Sequence, residues 1–232
     1  MLQLRARETL DGGDRGWLKA RHHFVVSPDG NQANAPLGAL VVWNDDEIAP
    51  GTGFGDHRHA DMEIITYVRE GVVTHRDSAG NTGRTVAGDV QVMNAGTGIS
   101  HSERNEGETP LKLFQIWVLP RVRGGTPHWG SRRFPKDDRA GRLITLASGD
   151  PTDSDALKIR ADARVLGATL LADTTVTHRP GRYRYVYLAP TVGVILVNGN
   201  RVAPGDGIAA IDEAQLTITA EEGAEFILVE TA

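Results

Sequence analysis

Gly51-Thr52-Gly53-Phe54-Gly55-Asp56-His57-Arg58-His59-Ala60-Asp61-Met62-Glu63-Ile64-Ile65-Thr66-Tyr67-Val68 is the stretch on which the fold turns. Glycines punctuate its first half, two imidazoles stand at i and i+2, and a β-branched run follows that is too short for a buried helix. On a strand, alternate side chains share a face, so His57 and His59 look one way and Arg58 the other. The pattern recurs outward along the chain. Leu40-Val41-Val42-Trp43, Phe114-Gln115-Ile116-Trp117-Val118 and Val192-Gly193-Val194-Ile195-Leu196-Val197 are equally short and β-forming, and 27 glycines and 11 prolines supply turns between them. No long apolar pattern at a helical period competes, so the chain reads as all-β, a barrel or a sandwich.

A second segment, Gly88-Asp89-Val90-Gln91-Val92-Met93-Asn94-Ala95-Gly96-Thr97-Gly98-Ile99-Ser100-His101-Ser102-Glu103, repeats the arrangement with His101 and Glu103 at i and i+2 behind a glycine turn. If both pairs face a barrel interior, three imidazoles and a carboxylate converge. Such a set leaves two open positions on an octahedral ion and suits Fe(II), with Mn, Ni, Cu and Zn as competitors. Glu63 has the parity of His57 and His59, so it competes with Glu103 for a place on the ion or orients a ligand histidine from behind. The acidic pairs Asp45-Asp46, Asp137-Asp138 and Glu221-Glu222 read as solvated surface in turn-like surroundings. His75 reads as a solvated or hydrogen-bonding residue at a strand end, His22 and His23 as one exposed and one buried, and His128-Trp129 as packing or substrate contact. His178 has no partner resembling His101, so the second half is expected to hold no metal.

Tyr67-Val68, Gly80-Asn81 and Gly88-Asp89 find counterparts in Tyr187-Leu188, Gly199-Asn200 and Gly205-Asp206, at offsets of 120, 119 and 117. Near-constant spacing predicts two copies of one barrel unit. Residues 1–125 are expected to form the metal-binding copy and 156–232 the second, joined by a linker over 126–155 that is rich in Gly, Pro, Arg and Asp.

Composition narrows the chemistry. With no cysteine, disulfides, thiolate nucleophiles and Cys-based metal sites are excluded, so ligands must be His and carboxylate. The formal charge of −5 comes without a dense basic cluster, which argues against direct nucleic-acid binding. Charges interrupt the N-terminus where a signal peptide needs an apolar stretch, and no apolar run approaches the roughly 18 residues of a spanning helix. A cytoplasmic protein without a membrane role is expected. No dinucleotide-binding, phosphate-binding or nucleophile-elbow motif is present.

The run from Gly53 through Glu103 closely resembles the pirin family of the cupin superfamily, above all in His57-Arg58-His59-Ala60-Asp61-Met62-Glu63-Ile64-Ile65-Thr66-Tyr67, in His75-Arg76-Asp77-Ser78-Ala79-Gly80-Asn81 and in His101-Ser102-Glu103. Weaker similarity continues to the linker, and the C-terminal half is similar to a degenerate second cupin. The resemblance implies a bicupin of two antiparallel, jelly-roll-like barrels. It also implies one metal ion, typically Fe(II), on His57, His59, His101 and Glu103, which favours Glu103 over Glu63. It further implies quercetin 2,3-dioxygenase activity on a flavonol or similar small aromatic with dioxygen, Glu103 serving as candidate base as well as ligand. The alternative it carries is a non-catalytic, metal- or redox-responsive transcription co-regulator acting through an unknown protein partner. Val25-Val26-Ser27-Pro28-Asp29-Gly30-Asn31-Gln32 departs from the family pattern in a segment expected near the barrel mouth, so the substrate does not carry over with the ligands.

Overall fold

The computed structural model describes residues 1–232. Each half of the chain builds one seven-stranded and one four-stranded sheet, and nearly every pairing is antiparallel. In the first half the large sheet runs His128–Arg132, Val90–Asn94, Glu63–Glu70, Leu111–Val118, Leu40–Ile48, Leu18–His22 and Asp11–Asp14. Its small sheet runs Gly53–His59, Ile99–Arg104, Val72–Asp77 and Thr82–Val86. The second half repeats this order strand for strand. Gly207–Ile211, Tyr185–Val192 and Ala224–Thr231 stand where Val90–Asn94, Glu63–Glu70 and Leu111–Val118 stand in the first, and Thr175–His178 with Leu216–Ala220 answer Gly53–His59 with Ile99–Arg104. Tyr67 and Tyr187, matched by the sequence offsets, thus lie on equivalent strands.

The two halves exchange edge strands. Leu2–Arg5 pairs with Gly207–Ile211 in the second half's large sheet, so the N-terminus closes the distant barrel. His128–Arg132 pairs with Val90–Asn94 of the first half, and Ile144–Ser148 joins the second, so the 126–155 segment carries strands of both. Exchange protects two sheet edges that would otherwise present unpaired backbone groups.

The large sheets pack against each other through their outer faces. Between them lies a buried apolar cluster with Phe24, Trp43, Tyr67 and Phe114 from one half and Tyr187, Ala189, Ile227 and Val229 from the other. Trp43 lies 5.2 Å from both Phe114 and Tyr187, ring centre to ring centre. Two polar contacts join this layer: His23 Nδ1 is 2.7 Å from the Tyr187 hydroxyl, and Arg139 donates to the Tyr67 hydroxyl at 2.8 Å.

The barrel interiors differ. The second is filled by apolar side chains, including Leu188, Ile195, Val197, Leu216, Ile218, Ala220 and Phe226. The first divides its apolar residues into two small clusters, one around Leu18, Ile48, Val73 and Leu113, the other around Ile64, Met93, Ala95 and Ile99. Buried polar groups separate them. No helix is long and apolar enough to cross a membrane.

Candidate metal centre

The polar interior of the first barrel is made by the Gly53–His59 and Ile99–Arg104 strands, which pair directly with His57 opposite His101. The register then slips, because Glu103 faces Phe54 across the pair, so the strand holds one extra residue at Gly55-Asp56. That bulge turns Phe54, His57 and His59 toward one side although their spacing is not uniform. Gly53, at φ 148°, lets the strand approach so closely that any side chain there would collide with the Glu103 carbonyl.

Three imidazoles converge. Ring centres of His57, His59 and His101 lie 4.4 to 5.1 Å apart, and one ring nitrogen from each lies within 4.8 Å of the others. Arg58 is exposed between its half-buried neighbours, as the alternation requires. His75, His101 and Glu103 form a second such group, so the four residues expected from the sequence, joined by His75, occur as two overlapping triads that share His101.

Hydrogen bonds fix the tautomers of His57, His75 and His101. His57 Nδ1 is 2.8 Å from the Gly55 carbonyl, which only accepts, so the proton sits on Nδ1 and Nε2 keeps its lone pair. His75 Nε2 donates to Asp77 Oδ2 at 3.0 Å, which leaves His75 Nδ1 as the acceptor for a long, 3.5 Å contact from His101 Nδ1. His101 Nε2 is then free of its proton. The Asp77 carboxyl is held below its ordinary range: burial opposes the charge, but hydrogen bonds from Asn81 and His75 outweigh it. His75 also stacks on Trp129, 4.9 Å away and 9° from parallel.

The free lone pairs are costly as they stand. His59 Nε2 and His101 Nε2 are both buried without a hydrogen-bond partner. Burial, reinforced by the neighbouring His57, pushes His59 down to about 4. Burial and the surrounding imidazoles push His101 down to about 3. Neutral imidazoles with unpartnered nitrogens gathered within reach of one another are what a cation requires of its ligands, so the residues present fit a bound divalent metal. Glu103 is 1% exposed, and its Oε1 accepts from Gln91 at 2.6 Å and Thr66 at 3.2 Å while Oε2 accepts from Gln115 at 2.5 Å. A carboxylate has about four lone-pair sites, so these donors orient it and still leave capacity for an ion.

Several expectations need correction. Glu63 joins neither triad: Asp61, at φ 52°, breaks the strand after His59, resets the parity, and leaves Glu63 hydrogen-bonded to Asn94. Of the two readings of His75, the hydrogen-bonding one holds and the solvated one does not: it is fully buried, donates to Asp77 and sits behind His101. Asp45-Asp46 is no surface turn. It lies inside the Leu40–Ile48 strand, with Asp45 paired to Arg69 and Asp46 1% exposed. His23 is buried and His22 half-buried, and the exposed His128 leaves packing to Trp129. In the second barrel Leu216 and Ile218 occupy the strand equivalent to that of His101 and Glu103, and His178 pairs with Glu230 at 2.6 Å.

A cavity of about 640 Å³, lined by none of the converging histidines and not by Glu103, adjoins the centre through Phe54. Phe54, Leu18 and Val26 give it apolar wall, Asn44 and Asp46 its polar floor, and Ser27 and Asp29 part of its rim. The segment that departs from the family pattern therefore lines the mouth. Phe54 links cavity to centre, being 6.2 Å from the His57 ring and cross-strand from Glu103.

The pirin family model matches residues 3–118, and a model described as the quercetinase C-terminal cupin domain matches residues 145–231. A pirin-like protein of Caulobacter vibrioides is 56% identical over the whole of both chains. The chain belongs to the pirin family. Another pirin relative, named quercetin 2,3-dioxygenase, from Escherichia coli K12, is 39% identical over 98% of this chain and 97% of its own length. The crystal structure of the E. coli pirin YhhW in complex with nickel(II) superposes with a TM-score of 0.92 at 36% identity, covering 100% of this chain and 99% of that one. The bicupin architecture of this pirin thus agrees with the expectation from its sequence.

Proposed function

We propose that this pirin is a mononuclear metal-dependent dioxygenase of the quercetin 2,3-dioxygenase type, using Fe(II) and dioxygen on a flavonol or similar small aromatic. The observation that carries this reading is the convergence of His57, His59 and His101, with two orphaned Nε2 atoms, beside a cavity of a volume suited to such a ligand. His57, His59, His101 and Glu103 would hold the ion, and the names and the nickel complex of the relatives support the assignment. A bound Fe(II) would supply Lewis acidity and the redox capacity to join dioxygen to an electron-rich ring.

The chain's own residues do the rest. Gln91, Gln115 and Thr66 fix the Glu103 carboxylate and leave it one lone pair, which would serve the ion or take the proton of the substrate hydroxyl, one at a time. Phe54 and Leu18 offer the ring an apolar wall, while Trp117, 4.9 Å from His59, and Trp129 close the far side of the centre against water. Anaerobic loading with Fe(II), followed by oxygen and quercetin, should bleach the flavonol and release carbon monoxide. Turnover no faster than with free Fe(II) refutes the reading.

The Asp77–His75–His101 chain yields a separate expectation. Replacing Asp77 by Asn removes the charged acceptor that sets the His75 tautomer, and with it the proton position on His101. Metal affinity is expected to fall about 10- to 100-fold with the fold retained. Competition against a chelating dye measures it; an unchanged affinity shows that His101 needs no such support.

A further inference from the structure

Asp46 is poorly provided for. Both its carboxylate oxygens are buried without a hydrogen-bond partner, although it lines an open cavity. The cause is local: its cross-strand neighbours are Ala20 on one side and Leu113 on the other, and neither side chain can donate. Asn44, two residues earlier on the same face, also lines the cavity with its Oδ1 unpartnered. Asn44 and Asp46, which carry three orphaned acceptors between them, thus line the same cavity as Phe54, Leu18 and Val26. A native fold tolerates such atoms where something else completes them.

The floor is one step from the metal centre. Asn44 is cross-strand from Gln115, which donates to Glu103. Phe54, which lies 6.2 Å from the His57 ring, lines the same cavity as Asn44 and Asp46, so a flat ligand seated against Phe54 would have both residues as neighbours.

We infer that Asp46 and Asn44 form a hydroxyl-reading subsite, selecting aromatic ligands that carry O–H groups beyond the one taken at the histidine cluster. Acceptors without donors call for a ligand that donates, and an aromatic hydroxyl brings its donor on a ring that the apolar wall can hold. A ligand lacking those hydroxyls leaves the acceptors buried and unpaired, which is the arrangement that discriminates most strongly. Burial also pushes the Asp46 carboxyl up to about 7, helped by the charges of Asp45 and Glu103 and opposed by Arg69, as expected of a group short of donors. The inference rests on the cavity being the substrate site of the proposed reaction.

The test uses the full chain loaded with Zn(II), which binds without turning over, and two probes: quercetin, and 3-hydroxyflavone, which keeps the 3-hydroxyl and lacks the other four. Calorimetry on the native protein should show quercetin binding at least about tenfold tighter. In Asp46→Leu, whose new side chain meets Ala20 and Leu113, the preference should vanish, and in Asp46→Asn, which keeps one acceptor, it should be intermediate; zinc content should match the native protein in both. A preference that persists in Asp46→Leu, or none in the native protein, overturns the inference. If Fe(II)-loaded protein fails to turn over quercetin while the Asp46-dependent preference holds, the oxygenase chemistry fails and the subsite stands.

Discussion

Replacing His101 by Ala is expected to abolish tight metal binding, lowering affinity by about a thousandfold or more, some 4 kcal/mol, while the metal-free protein stays folded. His101 is the residue the two triads share, so its loss dismantles both, whereas loss of His57 spares the group with His75 and Glu103. It is also the most enclosed of the three converging imidazoles and is held from behind by His75, so a water molecule in its place would be poorly oriented. The fold should survive because the shared layer around Trp43 and Tyr187 and the two apolar clusters of the first barrel do not include His101. Metal content after purification, together with the thermal transition of the metal-free form, decides the matter. Unfolding together with loss of the ion would show a structural rather than a functional centre.

The pairing of His57 with His59 and of His101 with Glu103 on shared strand faces was legible because strand alternation is a local property. His57-Arg58-His59 and His101-Ser102-Glu103 each declare a shared face within three residues, and the glycine turns announce where the strands begin. The internal repeat was legible for a related reason, since strand, turn and Gly-Asp corner recur at fixed distance and the two sheets have the same order. What failed was anything set by an irregularity or by partners far along the chain. Glu63 was credited with the parity of the histidines because a sequence does not display the positive φ of Asp61 that breaks the count. The exchange of edge strands depends on Leu2–Arg5 meeting Gly207–Ile211, a contact across almost the whole chain. His75 looked like a strand end, and only the pairing of Val72–Asp77 with Ile99–Arg104 places it behind His101.

Asp45-Asp46 shows most clearly what alternation within a strand can hide. Two adjacent carboxylates ordinarily mark a turn, and nothing nearby in the sequence says otherwise. In the structure alternation separates them: Asp45 goes to the outer face, where Arg69 meets it, and Asp46 goes to the barrel interior, where nothing does. A buried, unpaired carboxyl lowers stability, and such costs concentrate where a protein binds or reacts.

That cost has a sign and a pH window. Asp46 is raised from an ordinary 3.8 to about 7, so the folded chain holds this proton more tightly than the unfolded chain does. Its contribution is least unfavourable below about pH 4, worsens as pH rises toward 7, and is fully adverse above that, where the charge is buried without a partner. At about 1.4 kcal/mol per pH unit the upper bound is about 4 kcal/mol. Asp46→Asn removes the charge at constant shape but buries an amide, which returns part of the gain, although the new N–H can donate to the orphaned Asn44 Oδ1. The variant is therefore expected to be more stable than the native protein by roughly 1 to 3 kcal/mol at pH 8, several degrees in melting temperature for a chain of this size, and nearly equal to it at pH 4. Urea unfolding of the metal-free proteins at the two pH values measures the difference. A loss of stability at pH 8 would mean that the Asp46 carboxylate has a partner in the folded protein, and the case for a ligand-seeking acceptor at the cavity floor would fall with it.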